Sequence, residues 1–363
     1  MILTTIALFM CSFLSLFVFR KFAIYINLVD QPNMRKHHNG PVPLVGGLAV
    51  FVVVFSYLVI YPDSISSTFI YLFCASILLV IGVFDDLYDI SFRLRLLVQA
   101  FISTMMMVFG ELVFTNAGQI VGGFDLELSY FSYLVTVVVV VGAINAYNMV
   151  DGIDGLLGAL ATITFASLGL LFYFNGQVQL AVFCMVVVAA TIPYILMNLG
   201  IPLGQRFKIF MGDAGSTVIG FSVVWLLLEG SQSESAAFNP VTGLWVAAIP
   251  IMDAISTIIR RIKKGQSPFK PDREHLHHIL QRLGVGPKMT LFVISMLGCC
   301  FALVGILAQL NAVPDYYMFY GFIFCLIVYH QVMVNIWRLT VRARRFFGVS
   351  KKQREKSIER AKQ

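Results

Sequence analysis

Charge is scarce in this sequence: of 363 residues 12% are Asp, Glu, Lys or Arg, against 58% hydrophobic, and the mean hydropathy is +0.84. A soluble domain is about a quarter charged, so the composition excludes a soluble enzyme. Long polar segments are missing as well, and the loops left between apolar runs are too short for a separate soluble domain. Cysteine is limited to Cys11, Cys74, Cys184, Cys299, Cys300 and Cys325, all inside apolar runs and none in a C-x-x-C pair. That speaks for packing residues and against a disulfide framework or a cysteine metal site. No H-E-x-x-H helix occurs, and no internal repeat or low-complexity tract is visible. The missing repeat weakens transporter folds built from inverted halves.

What is present is a series of apolar runs, about eleven in all, near 2–19, 44–61, 68–84, 96–114, 130–147, 156–174, 178–198, 215–230, 241–258, 289–309 and 315–337. Runs of this length read as membrane-spanning helices. The expected fold is therefore an all-α polytopic membrane protein. Its single transmembrane domain covers 1–337, with an inner loop at 259–288 and a basic tail at 338–363. The net charge of +7 raises the question of nucleic acid, but its placement answers otherwise. With eleven spans, all 26 Lys and Arg fall on one face, and the other face holds only acids such as Asp63, Asp125, Glu127, Glu234 and Asp315. By the positive-inside rule the basic face is cytoplasmic, the N-terminus outside and the C-terminus inside. One missed helix would scatter the charges over both faces. The first run has no basic residue before it and is followed by Arg20 and Lys21, as in an anchor entering from outside rather than a cleaved signal. The tail suits a helix resting on anionic headgroups.

The inner loops also carry acids where apolar helices end: Asp85, Asp86, Asp89, Asp151, Asp154, Asp213 and Asp253. Two carboxylates about 4 Å apart repel by roughly 4 kcal/mol at an effective dielectric of about 20. Counter-charge is needed, and an all-oxygen set suits Mg²⁺ or Mn²⁺. Six of these acids fall in three clusters, Asp253 lies near the inner end of the run at 241–258, and a fourth cluster is rich in histidine. In Asp85-Asp86-Leu87-Tyr88-Asp89 the spacing predicts Asp89 on the same helix side as both earlier acids, although a solvated helix end would read alike. Arg93 and Arg95 follow, as snorkelling anchors or phosphate clamps. The run Asn145-x-x-Asn148-x-x-Asp151-Gly152-Ile153-Asp154-Gly155-Leu156 leaves a span on a glycine-freed turn, and simple Asx turns account poorly for the whole of it. Phe210-Met211-Gly212-Asp213-Ala214-Gly215-Ser216 precedes a span that Asp213 would cap, or whose N-terminus suits a cation bridged to phosphates.

The fourth cluster is Ser267-Pro268-Phe269-Lys270-Pro271-Asp272-Arg273-Glu274-His275-Leu276-His277-His278. Imidazoles beside Arg suit an anion cradle better than zinc, which would want cysteine or H-E-x-x-H. The first inner loop, with Arg35, Lys36, His37 and His38 before a helix opening on Gly46 and Gly47, reads as a lipid-phosphate site or an ordinary basic loop.

Taken together, the D-D-x-x-D, N-x-x-N-x-x-D-G-x-D-G-L, F-M-G-D-A-G-S and H-x-H-H motifs resemble the polyprenyl-phosphate N-acetylhexosamine-1-phosphate transferase family, in its order and over essentially the whole chain. Such enzymes move a sugar-1-phosphate from a UDP-sugar to a membrane polyprenyl phosphate and release UMP. The S-P-F-x-P-D-R-x-H-L-H-H stretch and the N-M-V-D-G-I-D-G-L-L-G run are similar to the GlcNAc-1-phosphate transferases that begin O-antigen and enterobacterial common antigen assembly. Phospho-MurNAc-pentapeptide transferases typically have H-H-H-x-E and a Lys at the Asp89 position.

The resemblance implies roles. Asp213 and Asn148 would hold Mg²⁺ or Mn²⁺. Asp85 and Asp86 would lie beside the lipid phosphate, one of them taking its proton. Asp151 and Asp154 would contact uridine or place the metal–diphosphate, and Phe210 would stack on uracil unless it is ordinary core. Arg95, His275, His277 and His278 would hold diphosphate and sugar, with Asn145, Asp89, His38 and Lys36 as further substrate contacts. The implied setting is the bacterial inner membrane, with UDP-sugar and lipid as partners, no nucleic acid, and a homodimer as the family's guide to assembly. Direct displacement is favoured over a phospho-Asp route, and both stay open. Other UDP-HexNAc donors are the nearest alternative. An intramembrane prenyltransferase would leave the H-x-H-H loop unexplained, and an ion-coupled transporter would place its acids near mid-bilayer.

Overall fold

A computed structural model describes residues 2–31, 40–268 and 274–346. Helix α1 (Ile2–Tyr25) leads to a short antiparallel pair, β1 (Val29–Asp30) with β2 (Val42–Pro43). Then follow α2 (Gly46–Ile60), α3 (Thr68–Tyr88), α4 (Phe92–Phe109), α5 (Ser132–Val150), α6 (Leu156–Phe174), α7 (Val178–Asn198) and α8 (Gly212–Gln232). The chain closes with α9 (Pro240–Val246), α10 (Ala248–Lys263), α11 (Leu276–Arg282), α12 (Pro287–Leu310) and α13 (Asp315–Phe346). An α-helix satisfies its backbone internally, as hydrocarbon requires. The chain is an all-α, multi-pass membrane protein: among the described residues nine helices are long and apolar enough to cross a bilayer.

Two expected spans take a different form. Helix α2 has 15 residues, short of the roughly 20 that cross hydrocarbon without help. The run expected as one span at 241–258 is broken: α9 and α10 are bent by 84°. Pro250 weakens the ladder across this junction, because it has no N–H to donate to the carbonyl of Val246, the last residue of α9.

Helix α8 is the axis of the bundle, buried at nearly every position from Gly212 to Gly230. Its first turn is gripped by backbone rather than by side chains. A Cβ on Gly47 would stand 2.2 Å from Cα of Gly215, and one on Gly82 would stand 2.2 Å from Cα of Ala214. Small residues let α2 and α3 come this close, the usual device for helix packing in lipid. Gly46 likewise faces the Tyr194 ring, so the glycines opening α2 serve as spacers.

With α8 fixed, the last turns of α3, α5 and α7 and the first turns of α4 and α6 meet its N-terminal end. At the other end lies a cavity of about 760 Å³. Its polar side chains bond one another and the wall: Gln232 accepts from Thr115 and Asn116, and Asp315 accepts from Gln119 and Asn239. Those bonds tie the loops there together.

Candidate active site

The site is built on the start of α8. Gly212 has a φ of +77°, which glycine adopts without penalty. This turn aims the first backbone N–H groups of the helix at α3, where Asp86 accepts from Asp213 N at 2.9 Å and from Ala214 N at 3.4 Å. A carboxylate from another helix thus caps the positive end of α8. Asp213, for which capping was one expectation, has another use. Its Oδ1 accepts from Asn148 Nδ2 at 2.7 Å, and the same amide nitrogen donates to Ser216 Oγ at 2.9 Å. Its Oδ2 lies 3.7 Å from an Arg95 guanidinium nitrogen.

Arg95 sits one turn into α4, because that helix starts at Phe92, earlier than the run at 96–114 suggests. The placement turns its guanidinium back toward α3, where it meets Asp85 Oδ2 at 2.6 Å. Asp85 is buried and also accepts from Ile90 N at 2.8 Å. Asp89 departs from the expected helix face. Helix α3 stops at Tyr88, Asp89 turns left-handed at φ +51°, and the residue is exposed, whereas Asp85 is buried. Asn145 donates to Gln99 Oε1 at 2.7 Å, one turn beyond Arg95, so it joins α5 to α4 beside the acids.

The second half of the site is the turn after α5. Asp154 Oδ2 is 2.7 Å from Lys208 Nζ. That ammonium also lies 5.2 Å from the ring centroid of Phe210, within cation–π range. Phe210 is held by its backbone, which bonds Pro43, Val45 and Gly46. Lys208 was read only as part of the basic inner face. The missed signal is local: in an extended segment residues 208 and 210 point the same way. Ser216, the partner of Asn148, closes the third motif, whereas Gln99, the partner of Asn145, carries no signal of its own in the sequence.

Asp151 has no basic side chain against it among the described residues. Burial, with the charges of Asp213 and Asp154 added, pushes its carboxyl up to about 7. The folded protein therefore keeps a proton that an unfolded aspartate releases near pH 4. That stabilisation is complete below about pH 4 and is lost as pH rises through 7. In divalent-free buffer the unfolding midpoint should fall from pH 5 to pH 8, and Asp151→Asn should flatten the slope. An unchanged slope in the variant would contradict the assignment.

The His-rich segment packs onto this turn. His277 is 2% exposed, and its Nε2 stands 2.0 Å from where a Cβ on Gly152 would be. Only glycine leaves room there. Burial, with His278 and His275 nearby, holds His277 down to about 3, so the ring is neutral at pH 7. His275 and His277 lie parallel at 5.7 Å between centroids, and His278 meets His277 at 4.2 Å. Lys36 and His38, along with Lys270, Asp272 and Arg273, lie outside the described residues.

The seven inner acids thus divide: Asp85, Asp86 and Asp213 share one cluster, Asp151 and Asp154 share the adjoining turn, Asp89 is outside, and Asp253 pairs with His275. Among the described residues no three His, Cys, Asp or Glu side chains converge as a metal cage. The donors still fit a hard divalent cation. Asp213 and Asn148 are oxygen donors beside acids with too few bases, and Mg²⁺ takes one or two protein ligands plus water and phosphate oxygens.

Comparison with known proteins gives the family. Residues 68–231, from α3 to α8, match the family described as glycosyl transferase family 4. Along nearly its full length the chain is similar to proteins named undecaprenyl-phosphate alpha-N-acetylglucosaminyl 1-phosphate transferase. In Escherichia coli K12 the identity is 43% over 335 residues, 92% of this chain and 91% of the relative. In Salmonella typhimurium LT2 it is 43% over 351 residues, 96% and 95%. In Haemophilus influenzae Rd it is 40% over 353 residues, 97% and 98%. With an identity of this size over nearly the whole chain, the chain belongs to glycosyl transferase family 4, as a membrane phosphoglycosyl transferase.

Proposed function

We propose that the chain transfers GlcNAc-1-phosphate from UDP-GlcNAc to undecaprenyl phosphate, giving undecaprenyl-diphospho-GlcNAc and UMP. The observation that carries the reading is the meeting of three sequence-distant motifs, through Asp85, Asp86, Asn148 and Asp213, around the first turn of α8, with the His-rich segment packed through His277 on Gly152 of the adjoining turn. The printed names of the relatives supply the donor and the lipid. In keeping with the positive-inside pattern, all eleven apolar runs cross or enter the bacterial inner membrane. The site then opens to the cytoplasm, where UDP-sugars are. The catalytic domain is 1–337, with the 338–363 tail on the inner surface. The product feeds O-antigen or enterobacterial common antigen assembly, and the enzyme works as a homodimer.

The reaction joins two anions. An oxygen of the lipid phosphate forms a bond to the β-phosphorus as the bond from that phosphorus to the bridging oxygen of UMP breaks. Arg95, between Asp85 and Asp213, lowers the repulsion at the incoming phosphate. The apolar side chains Leu78, Ile81 and Val98 of α3 and α4 lie next to Asp85 and Arg95, so the lipid tail would run along the apolar faces of these helices with its charged head at the acids. Asp85 is placed to take a proton from a monoprotonated lipid phosphate, while Asp86 holds the α8 terminus. Asp213 and Asn148 hold Mg²⁺ or Mn²⁺. When bound, the ion neutralises the diphosphate and the departing UMP.

On the other side, Asp151, Asp154, Lys208 and Phe210 frame the nucleotide, with Lys208 offering its charge to the diphosphate. His275, His277 and His278 close the site over the sugar. Lys208→Met should cut kcat/KM for UDP-GlcNAc by ~10–100-fold, mostly through KM, as expected for loss of a charge-assisted contact. A kinetically silent variant would remove Lys208 from the site.

The reading is tested with purified protein, undecaprenyl phosphate and Mg²⁺, supplied with UDP-GlcNAc, another UDP-HexNAc or UDP-MurNAc-pentapeptide. UMP release with lipid product from UDP-GlcNAc is the expected result. Product only from another donor would keep the chemistry and overturn the donor, and no turnover by folded protein would overturn both.

A further inference from the structure

We propose that Asp253 is a positioning residue for the transfer reaction, holding the imidazole of His275 and the start of α11 in place from the side away from the substrate. The inference rests on the reading of the His-rich segment as part of the site.

Asp253 is 2% exposed and lies on α10, beyond the bend at Ala247. Its Oδ2 is 2.7 Å from His275 Nδ1. Its Oδ1 accepts from the backbone N–H of Leu276 at 3.1 Å and from the Tyr329 hydroxyl at 2.7 Å. A buried carboxylate is costly unless donors surround it, and here three donors from two other segments do so. One is the first N–H of α11, so Asp253 caps that helix from outside.

The rest of the same helix face repeats the grip. Thr257 Oγ1 reaches His275 Nδ1 at 3.5 Å, Arg260 Nε meets Glu274 at 2.6 Å and Lys264 Nζ meets Glu274 at 2.7 Å. Positions 253, 257, 260 and 264 form one helical stripe. Every member of it holds residues 274–276.

The chemistry follows from the donor pattern. With Nδ1–H committed to Asp253, the ring is fixed in orientation and its other nitrogen is directed away from the carboxylate. Such outer partners set the tautomer and aim of a working histidine. The parallel stacking of His275 on His277, and the seating of His277 over Gly152, carry that placement to the Asp151 turn. Asp253 touches none of the acids around Asp213, so it acts through His275.

The test is a double-mutant cycle on the full-length enzyme in detergent, with kcat and KM for UDP-GlcNAc expressed per folded protein. Asp253→Asn keeps the shape and removes the charge. It should lower kcat/KM by ~10–100-fold, with the same division between kcat and KM as His275→Ala. The double variant should fall no further than His275→Ala alone. Equal losses that add in the double variant, or an Asp253→Asn with ordinary kinetics beside an impaired His275→Ala, would overturn the proposal. A fully active His275→Ala would instead remove the His-rich segment from the site. Tyr329→Phe leaves the carboxylate and two of its donors, which guards against a loss of folding. A ~3–10-fold fall in kcat/KM, absent in the His275→Ala background, is expected for one hydrogen bond, and no change would count against the proposal.

Discussion

Asp213→Asn is expected to lower kcat for sugar-phosphate transfer by ~10³-fold or more, and to raise the Mg²⁺ concentration needed for half-maximal rate. The size follows from what one isosteric change removes. The amide keeps the shape, so the Asn148 contact at 2.7 Å and the burial of α8 stay in place. What goes is the negative charge facing Arg95 at 3.7 Å and an anionic ligand for a hard cation. A single donor aimed at developing charge is worth about 10²–10³ in kcat. Asp213 faces both the cation site and Arg95, so its loss should exceed that. Initial rates of UMP release over a Mg²⁺ titration check the prediction. A variant within about tenfold of wild type, with an unshifted Mg²⁺ curve, would move the metal away from Asp213.

The largest effect on folding is expected from Gly82→Val. Its added carbons would have to occupy space 2.2 Å from Cα of Ala214, and that neighbour is backbone, which no rotamer change can move. Helix α3 would be pushed off the first turn of α8, taking Asp86 from the N–H groups it caps and Asp85 from Arg95. Overpacking costs about 1–3 kcal/mol in yielding cores. Here the obstacle is rigid, and a cost of about 3 kcal/mol or more is expected. Gly142→Ala is the matched control, because a Cβ there meets nothing within 4 Å. The monodisperse fraction after extraction and the unfolding midpoint should collapse for Gly82→Val and stay near wild type for Gly142→Ala. Equal behaviour of the two would show that the α3–α8 contact is not close.

Much of this was legible in the chain, for physical reasons that differ by residue. Apolar runs announce helices in lipid, and nine qualify among the described residues. The bend between α9 and α10 was not legible: Pro250 lies near it, but Pro193 sits inside the continuous α7, and hydropathy is high on both sides. Asp85, Asn148 and Asp213 stood out because a carboxylate or amide beside an apolar helix end needs a partner. Which partner each finds was not legible. Asp86 capping α8 depends on the approach of α3 at Gly82, a long-range contact. Asp89 was misplaced because the i to i+4 rule assumes a helix that continues, and this one ends in a left-handed turn at φ +51°. Lys208 was hidden by a correct observation, the one-sided distribution of bases, which gave it a sufficient reason to exist. Asp253 looked like one more acid of the metal cluster, and only the fold shows it turned toward His275.

The chain moves a phosphate along with the sugar. Label position tests it directly: UDP-GlcNAc carrying ³²P only in the β-phosphate is incubated with the purified enzyme, Mg²⁺ and undecaprenyl phosphate. Nucleotide and lipid are then separated. The account predicts that the label enters the lipid and that the released nucleotide is unlabelled UMP. Label recovered in UDP, with unlabelled lipid-linked sugar, would mean that the sugar alone is transferred, and would contradict the assignment of Arg95 and Asp213 to an attack at phosphorus.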